Sequence, residues 1–329
     1  MEDTMVPLQF GGRAAPMLAV AFALALPCAP ASAASILFVG NSFTYGEPAG
    51  GAPVVQRYQP GSVTDLNNTG IGGVPALFKA FTVQAGLDYS VSLETVGGTG
   101  LDYHYTNKLP LLNRPWDQVV LQSYSTLDAS NPGDPTKLIQ YASLFADTLT
   151  TQNPAVDISL MSTWSRADQT YLPTGAWYGQ PISAMQEDVR AGYEAAKAAN
   201  PAIDRVLPVG AAWNAAMEGG IADPNPYNGI TAGQINLWAP DNYHASPFGY
   251  YLEALVVFGS VTGLDPLSLG ENERVAQDLG FTPEQAYALQ KIAHDQVTVP
   301  EPSSLLLLGA GLAGLAWVRR RPRRAVVAA

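Results

Sequence analysis

From Ser35 onward the chain alternates short apolar runs, rich in β-branched and aromatic residues, with longer amphipathic ones. This alternation limits the fold more than any other feature, because strand followed by helix followed by strand implies right-handed crossovers and a parallel sheet. The expected strands are 36–40, 89–96, 118–122, 157–163 and 204–209. Several are apolar nearly throughout, as strands covered on both faces must be. The expected helices are 75–85, 135–151, 182–200 and 247–259. Ser246-Pro247 opens the last with a capping hydroxyl and a proline at the first helical position, and Asn200-Pro201 breaks the third. The expected fold is therefore α/β, a doubly wound parallel sheet of about five strands with helices on both faces. Roughly 265 residues, 35–299, suffice for one large domain.

Long Gly- and Pro-rich connections occupy 46–73, 168–181 and 210–242. Such loops at the carboxyl ends of parallel strands commonly build sites.

The ends of the chain read as addresses, not as fold. Residues 14–31 form an apolar stretch behind Arg13 that closes on Ala31-Ser32-Ala33, the small-x-small pattern cut by signal peptidase, so 1–33 is expected to be a removed signal peptide. Pro27 directly before Cys28 does not fit a lipidation motif. Removal of the signal takes away the only cysteine, leaving neither disulfide nor thiol chemistry. At the far end Pro300-Glu301-Pro302 precedes an apolar segment, 303–318, and then Arg319, Arg320, Arg321, Arg323 and Arg324. Sixteen residues cover about 24 Å at helical rise, slightly short of a hydrocarbon core of roughly 30 Å, and the arginines would stay on the cytoplasmic side. An ordinary C-terminal anchor would share the span and the charge. The Pro-Glu-Pro triplet adds specificity: residues 300–324 resemble the PEP-CTERM sorting signal. That resemblance implies processing by an exosortase, transient anchoring in the inner membrane, and delivery through the periplasm to the surface or surroundings of a Gram-negative, polysaccharide-secreting bacterium.

Charge narrows the partners. The chain has 17 Lys+Arg and 28 Asp+Glu; setting aside six arginines and three acids in the terminal segments leaves 11 against 25, near −14. An acidic body disfavours nucleic acid and anionic membrane surfaces as partners and leaves neutral substrates, sugars included. The body has no cysteine, no His-x-x-x-His, no His-Glu-x-x-His, no Asp-rich calcium loop and no phosphate-cradling glycine motif. Neither a metal nor a cofactor is expected.

Only His104, His244 and His294 can serve as an imidazole base. His294 stands in a polar "KIAHDQ" stretch and is expected to be solvated. His244 stands in "APDNYHASPFGYYLEA", three residues after Asp241 and just before a capped helix, a spacing that can aim a carboxylate at one ring nitrogen and free the other. "GNS" at 40–42 taken alone reads as a turn serine before it reads as a nucleophile. The aromatics Trp164, Tyr171, Trp177, Tyr178 and Trp213 read as packing, with sugar stacking open to any that face a cleft.

Four blocks in order, "FVGNSFT", "VGGTGLDYH", "WDQVVLQSYS" and "DNYHASPFGYYLEA", resemble the SGNH (GDSL-type) hydrolase family over residues 35 to about 259. The resemblance implies the flavodoxin-like, three-layer fold of that family and a serine esterase. It makes Ser42 the nucleophile, His244 the general base and Asp241 its orienting carboxylate. The backbone N–H groups of Ser42 and Gly98 become oxyanion donors. The third block lacks the family's Gly-x-Asn-Asp segment, and by likeness to the "GNSFT" branch Gln122 would supply the missing amide. His104 in "GLDYH" is then a pocket residue on the substrate side. The export route makes O-acyl groups of extracellular polysaccharide the expected esters. A carbohydrate-binding or matrix protein retaining a degenerate fold is the alternative, because the block-three asparagine is absent.

Overall fold

The computed structural model describes Met1 and residues 33–298. The signal peptide expected over 1–33, apart from its two end residues, and the sorting tail expected over 300–324 lie outside the described residues. In chain order the elements are β1 (Ala34–Gly40), α1 (Ser42–Tyr45), β2 (Thr64–Asp65), α2 (Gly73–Gln84), β3 (Tyr89–Thr95), α3 (Leu101–Leu112), β4 (Gln118–Leu121), α4 (Thr136–Gln152), β5 (Asp157–Met161), α5 (Ala167–Tyr171), α6 (Ile182–Ala199), β6 (Arg205–Leu207), α7 (Val209–Glu218), α8 (Pro247–Thr262), α9 (Arg274–Asp278) and α10 (Pro283–Thr298).

All strand pairs are parallel, in the order β2-β3-β1-β4-β5-β6. Five of these strands are the five apolar runs of the sequence. The sixth, β2, is an edge strand of two residues, too short to carry a period, so the sheet exceeds the expected strand count by one. Because side chains alternate along a strand, β1 feeds two cores. Ile36 and Phe38 join the apolar cluster under α2, α7, α8 and α10. Leu37 and Val39 join the second cluster under α3, α4 and α6. Burial on both faces is what makes β1 apolar without interruption from Ile36 to Val39.

The chain leaves β1 for the edge strand β2, returns through α2 to β3 beside β1, then crosses through α3 to β4 on the other side of β1. The neighbours of β1 thus depart in opposite directions, and the carboxyl end of β1 is a topological switch point, where doubly wound sheets open a crevice.

Six helices were not expected from the sequence: the short α1, α5 and α9, and the longer α3, α7 and α10. α3 mixes tyrosines, a lysine and an internal Pro110, so its apolar stripe is weak. α7 opens the segment expected as a loop over 210–242; its Ala-rich stretch was the available sign. α10 contains the "KIAHDQ" stretch expected to be solvated. It packs on α8 with Ala286, Leu289 and Ala293 fully buried, and His294 is half-buried with Nδ1 2.8 Å from Asp265 Oδ1. The expectation for His294 is corrected accordingly: its polar neighbours form one face of an amphipathic helix.

α8 is capped at Ser246, whose Oγ accepts the Gly249 N–H, and ends at Gly263 in the left-handed region at φ 72°. It runs three residues past the expected 259 and is buried on nearly every side. Within it Glu253 is fully buried, and neither carboxyl oxygen has a hydrogen-bond partner. Burial drives its pKa well above the ordinary range, so the group is protonated in the folded protein. A raised carboxyl pKa favours the folded state least at high pH: the unfolded chain releases the proton above its ordinary pKa while the folded one retains it. Glu253→Met is therefore expected to stabilise the protein by about 1–3 kcal/mol at pH 8. The gain should shrink as pH falls toward 4, as read by thermal unfolding at both values. A pH-independent effect, or a loss at pH 8, would contradict this account of Glu253.

Candidate active site

At the carboxyl end of β1 the chain turns within one residue. Gly40 is required there, because a Cβ would overlap Thr44 Oγ1 and Gln122 Oε1. Asn41 caps the short α1: its Oδ1 accepts the Phe43 N–H at 3.1 Å, and its Nδ2 donates to the carbonyls of Thr99 at 2.8 Å and Ser123 at 3.1 Å. One side chain thus ties together the loops that follow β1, β3 and β4. Ser42 is the first residue of α1 and only 5 % exposed, and its carbonyl accepts from the Tyr250 hydroxyl on α8 at 3.1 Å.

The segment before α8 is folded back by an antiparallel bridge between Trp238 and Ala245, with the Ala239 N–H donating to His244 O at 2.8 Å. Inside that turn Asp241 Oδ1 accepts the backbone N–H groups of Tyr243 and His244, each at 3.0 Å, while Oδ2 lies 2.6 Å from His244 Nδ1. The Asp-x-x-His spacing works because one carboxylate both closes the turn and engages the ring. Burial raises the Asp241 pKa, but the hydrogen bonds from the His244 ring and the two N–H groups outweigh it and hold the carboxyl below its ordinary range.

The two turns face one open cavity of about 400 Å³ whose walls include Ser42, Glu47, Gly97, Gly98, Asp241 and His244. Residues separated by some 200 positions in the sequence thus meet at the switch point. Gly98 adopts φ 73°, the left-handed region glycine tolerates without strain. Among the described residues neither the Ser42 N–H nor the Gly98 N–H has a hydrogen-bond partner. Ser42 and His244 line the same cavity, and no hydrogen bond joins Ser42 Oγ to His244 Nε2. In unliganded sites such contacts are often long and tighten only around substrate. Tyr45 also lines the cavity, its hydroxyl on Glu47 Oε2 at 2.9 Å. Burial and then that hydrogen bond raise the Tyr45 pKa, so the phenol stays protonated.

Two expected members do not reach the cavity. Gln122 is fully buried behind the Ser42 turn: its Oε1 accepts from the Asn41 N–H at 2.9 Å and the Thr44 hydroxyl at 3.1 Å, and its Nε2 donates to Ser123 O. The Asn41 N–H requires an acceptor opposite it, which fixes the amide with its nitrogen on Ser123 O. Gln122 therefore braces the turn. His104 is likewise fully buried, with Nδ1 2.5 Å from Glu94 Oε2 and Nε2 3.0 Å from Thr99 Oγ1. Asn67 donates to Glu94 Oε1 at 2.8 Å and accepts from Lys108 at 2.9 Å. This chain of polar groups lies behind the Gly97–Gly98 loop. The expected substrate contact by His104 is thus corrected to support of that loop.

The bracing role of Gln122 is testable. Gln122→Ala leaves a buried N–H without an acceptor, expected to cost about 1–3 kcal/mol of stability. Gln122→Glu, protonated in that enclosure, keeps an acceptor for Asn41 and a donor for Ser123 O, and should retain most of the stability and activity lost by the alanine variant. Equal loss of activity in both variants, with unfolding temperatures unchanged, would return Gln122 to the role of amide donor.

Trp164 and Trp213 are fully buried, stacked at 4.5 Å with an interplanar angle of 5°, and Phe43 stacks on Trp164 at 4.4 Å. They are core residues and offer no face to a sugar. The sequence reading missed Arg166 and Tyr243. The Arg166 guanidinium lies 3.5 Å over the Tyr243 ring, which itself packs 4.0 Å from the His244 ring. The scarcity of basic residues in the body was the available sign for Arg166. Among the described residues no group of three or more His, Cys, Asp or Glu is placed to hold a metal ion, and no helix is long and apolar enough to cross a membrane.

The model of the PEP-CTERM protein-sorting motif matches residues 298–321, which implies export and exosortase-mediated processing. No curated protein matches the chain. Among solved structures, a DUF4886 family protein from Bacteroides uniformis ATCC 8492 shares the fold at TM-score 0.53 and 16 % identity, covering 82 % of this chain and 98 % of that one. The chain is also similar to a candidate SGNH hydrolase from Slackia heliotrinireducens, at TM-score 0.45 and 19 % identity over 70 % of this chain and 99 % of that one. A candidate GDSL-like lipase from Parabacteroides merdae ATCC 43184 follows at TM-score 0.46 and 16 % identity, over 70 % and 96 %. The structural neighbours thus include SGNH and GDSL hydrolases at low identity.

Proposed function

We propose that residues 35–299 form a secreted serine esterase that hydrolyses carboxylic esters, O-acyl groups of extracellular polysaccharide among them. One observation carries the reading: Ser42, the Asp241–His244 pair and Gly98 converge on a single cavity at the switch point of the sheet. Ser42 Oγ attacks the ester carbonyl while His244 Nε2 takes its proton. Asp241 holds Nδ1–H and favours the imidazolium that forms. The unpartnered N–H groups of Ser42 and Gly98 stabilise the developing oxyanion. His244 returns its proton to the leaving alcohol, an acyl-enzyme remains on Ser42, and water activated by His244 releases the acid.

The second reading is a carbohydrate-binding or matrix protein that retains the fold without turnover. It draws on the missing Ser42–His244 hydrogen bond and on the buried amide of Gln122. Hydrolysis of p-nitrophenyl acetate and of acetylated polysaccharide decides between them: the esterase reading expects turnover that depends on Ser42, and the binder expects none.

A further inference from the structure

The Ser42 cavity is flanked by two recesses of opposite character. On one side, sharing Glu47, lies an apolar one of about 150 Å³ with Val54, Val55, Trp238 and Pro240 in its wall. On the other side, sharing Gly98 and Tyr243, lies a polar one of about 260 Å³, whose wall includes Tyr124, Ser125, Thr126, Arg166 and Gln169. Among the described residues Arg166 is the sole charged one lining it. Asp168 engages one edge of the guanidinium, with Nε at 3.0 Å and Nη2 at 2.6 Å, and the plane lies on Tyr243.

Most other polar groups in this wall are already satisfied. Thr126 Oγ1 donates to Asp128 O, Gln169 Nε2 donates to Asp168, and Gln169 Oε1 accepts the Ala176 N–H. The remaining edge of Arg166 is different: Nη1 makes only a 3.4 Å contact with Ser125 Oγ. A rigid donor edge and a hydroxyl able to donate thus stand side by side with spare capacity. Buried hydroxyls of a ligand need such partners, whereas an alkyl chain would strand these. Asp168 balances the charge of Arg166 and the body is strongly acidic, so the matching ligand is neutral.

We infer that this recess binds the alcohol part of the ester, and that this part is a neutral polyhydroxylated ring such as a pyranose, with Arg166 and Ser125 determining the specificity. The inference rests on the proposed esterase reading and assigns its substrate class.

Two esters of the same acid separate the alcohol from the chemistry. Wild type, Arg166→Met and Ser125→Ala are assayed with acetylated xylotriose and p-nitrophenyl acetate, and the ratio of the two kcat/KM values is compared. Arg166→Met should lower that ratio about tenfold or more and Ser125→Ala severalfold. A ratio unchanged in both variants overturns the inference, as does a wild-type preference for decyl acetate over the sugar ester. If Arg166→Met does not fold, Ser125→Ala and Ser125→Val carry the test. Binding is read independently by titrating xylotriose into Ser42→Ala, alone and combined with Arg166→Met. Binding that depends on Arg166 without hydrolysis of any ester retains the subsite and rejects the esterase. Hydrolysis in wild type with xylotriose binding indifferent to Arg166 does the reverse.

Discussion

Ser42→Ala is expected to reduce turnover of p-nitrophenyl acetate on the order of 10⁴-fold or more, with the fold intact. Ser42 is held from behind by Asn41, whose side chain ties three loops, and by Gln122, whose oxygen receives the Asn41 N–H. None of these bonds uses Ser42 Oγ, so alanine removes the proposed nucleophile and little else. Circular dichroism and the unfolding temperature should match wild type while the ester is cleaved only at background rate. Wild-type turnover in this variant would remove Ser42 from the chemistry.

The second large effect is expected at Asp241. In Asp241→Asn the amide oxygen can still accept the N–H groups of Tyr243 and His244, so the turn survives. The amide nitrogen then faces His244 Nδ1 and selects the tautomer with the proton on Nε2, which cannot take a proton from Ser42. A fall in kcat on the order of 10³ to 10⁴ is expected, with KM nearly unchanged and the turn intact. An Asp241→Ala variant should lose stability as well, because it leaves both N–H groups without an acceptor. The low Asp241 pKa gives the sign of the pH dependence: the carboxylate contributes stability above its unfolded pKa, and that contribution is lost as pH falls through the lower folded value. The aspartate and asparagine proteins should therefore converge in stability only on strong acidification.

How much of this was legible in the sequence depended on the range of each interaction. Strands buried on both faces are written as local apolar runs, and five of six were read from them; β2, with two residues, had no room for a pattern. The Asp241–His244 pair is local too, since a spacing of three lets one carboxylate close a turn and hold a ring. That Ser42 lines the same cavity followed from order along a doubly wound sheet and from the family resemblance. Gln122 and His104 failed for a shared reason. Each stands beside a loop that lines the cavity, and sequence adjacency cannot tell a side chain in front of a backbone from one behind it. In the fold the space behind is filled by Asn41, Thr44 and Ser123 for Gln122, and by Glu94 and Thr99 for His104. Arg166 escaped because its neighbours Tyr243 and Ser125 come from loops after different strands, which only the tertiary structure brings together.

The central claim is that Ser42 is a nucleophile activated by His244. Its most direct test is covalent labelling with a serine-reactive fluorophosphonate, followed by mass spectrometry of the digested protein. The account predicts stoichiometric modification confined to the peptide carrying Ser42, slowed at least a hundredfold in His244→Ala and abolished in Ser42→Ala. Labelling that is absent from Ser42, or equally fast without the His244 imidazole, would contradict it.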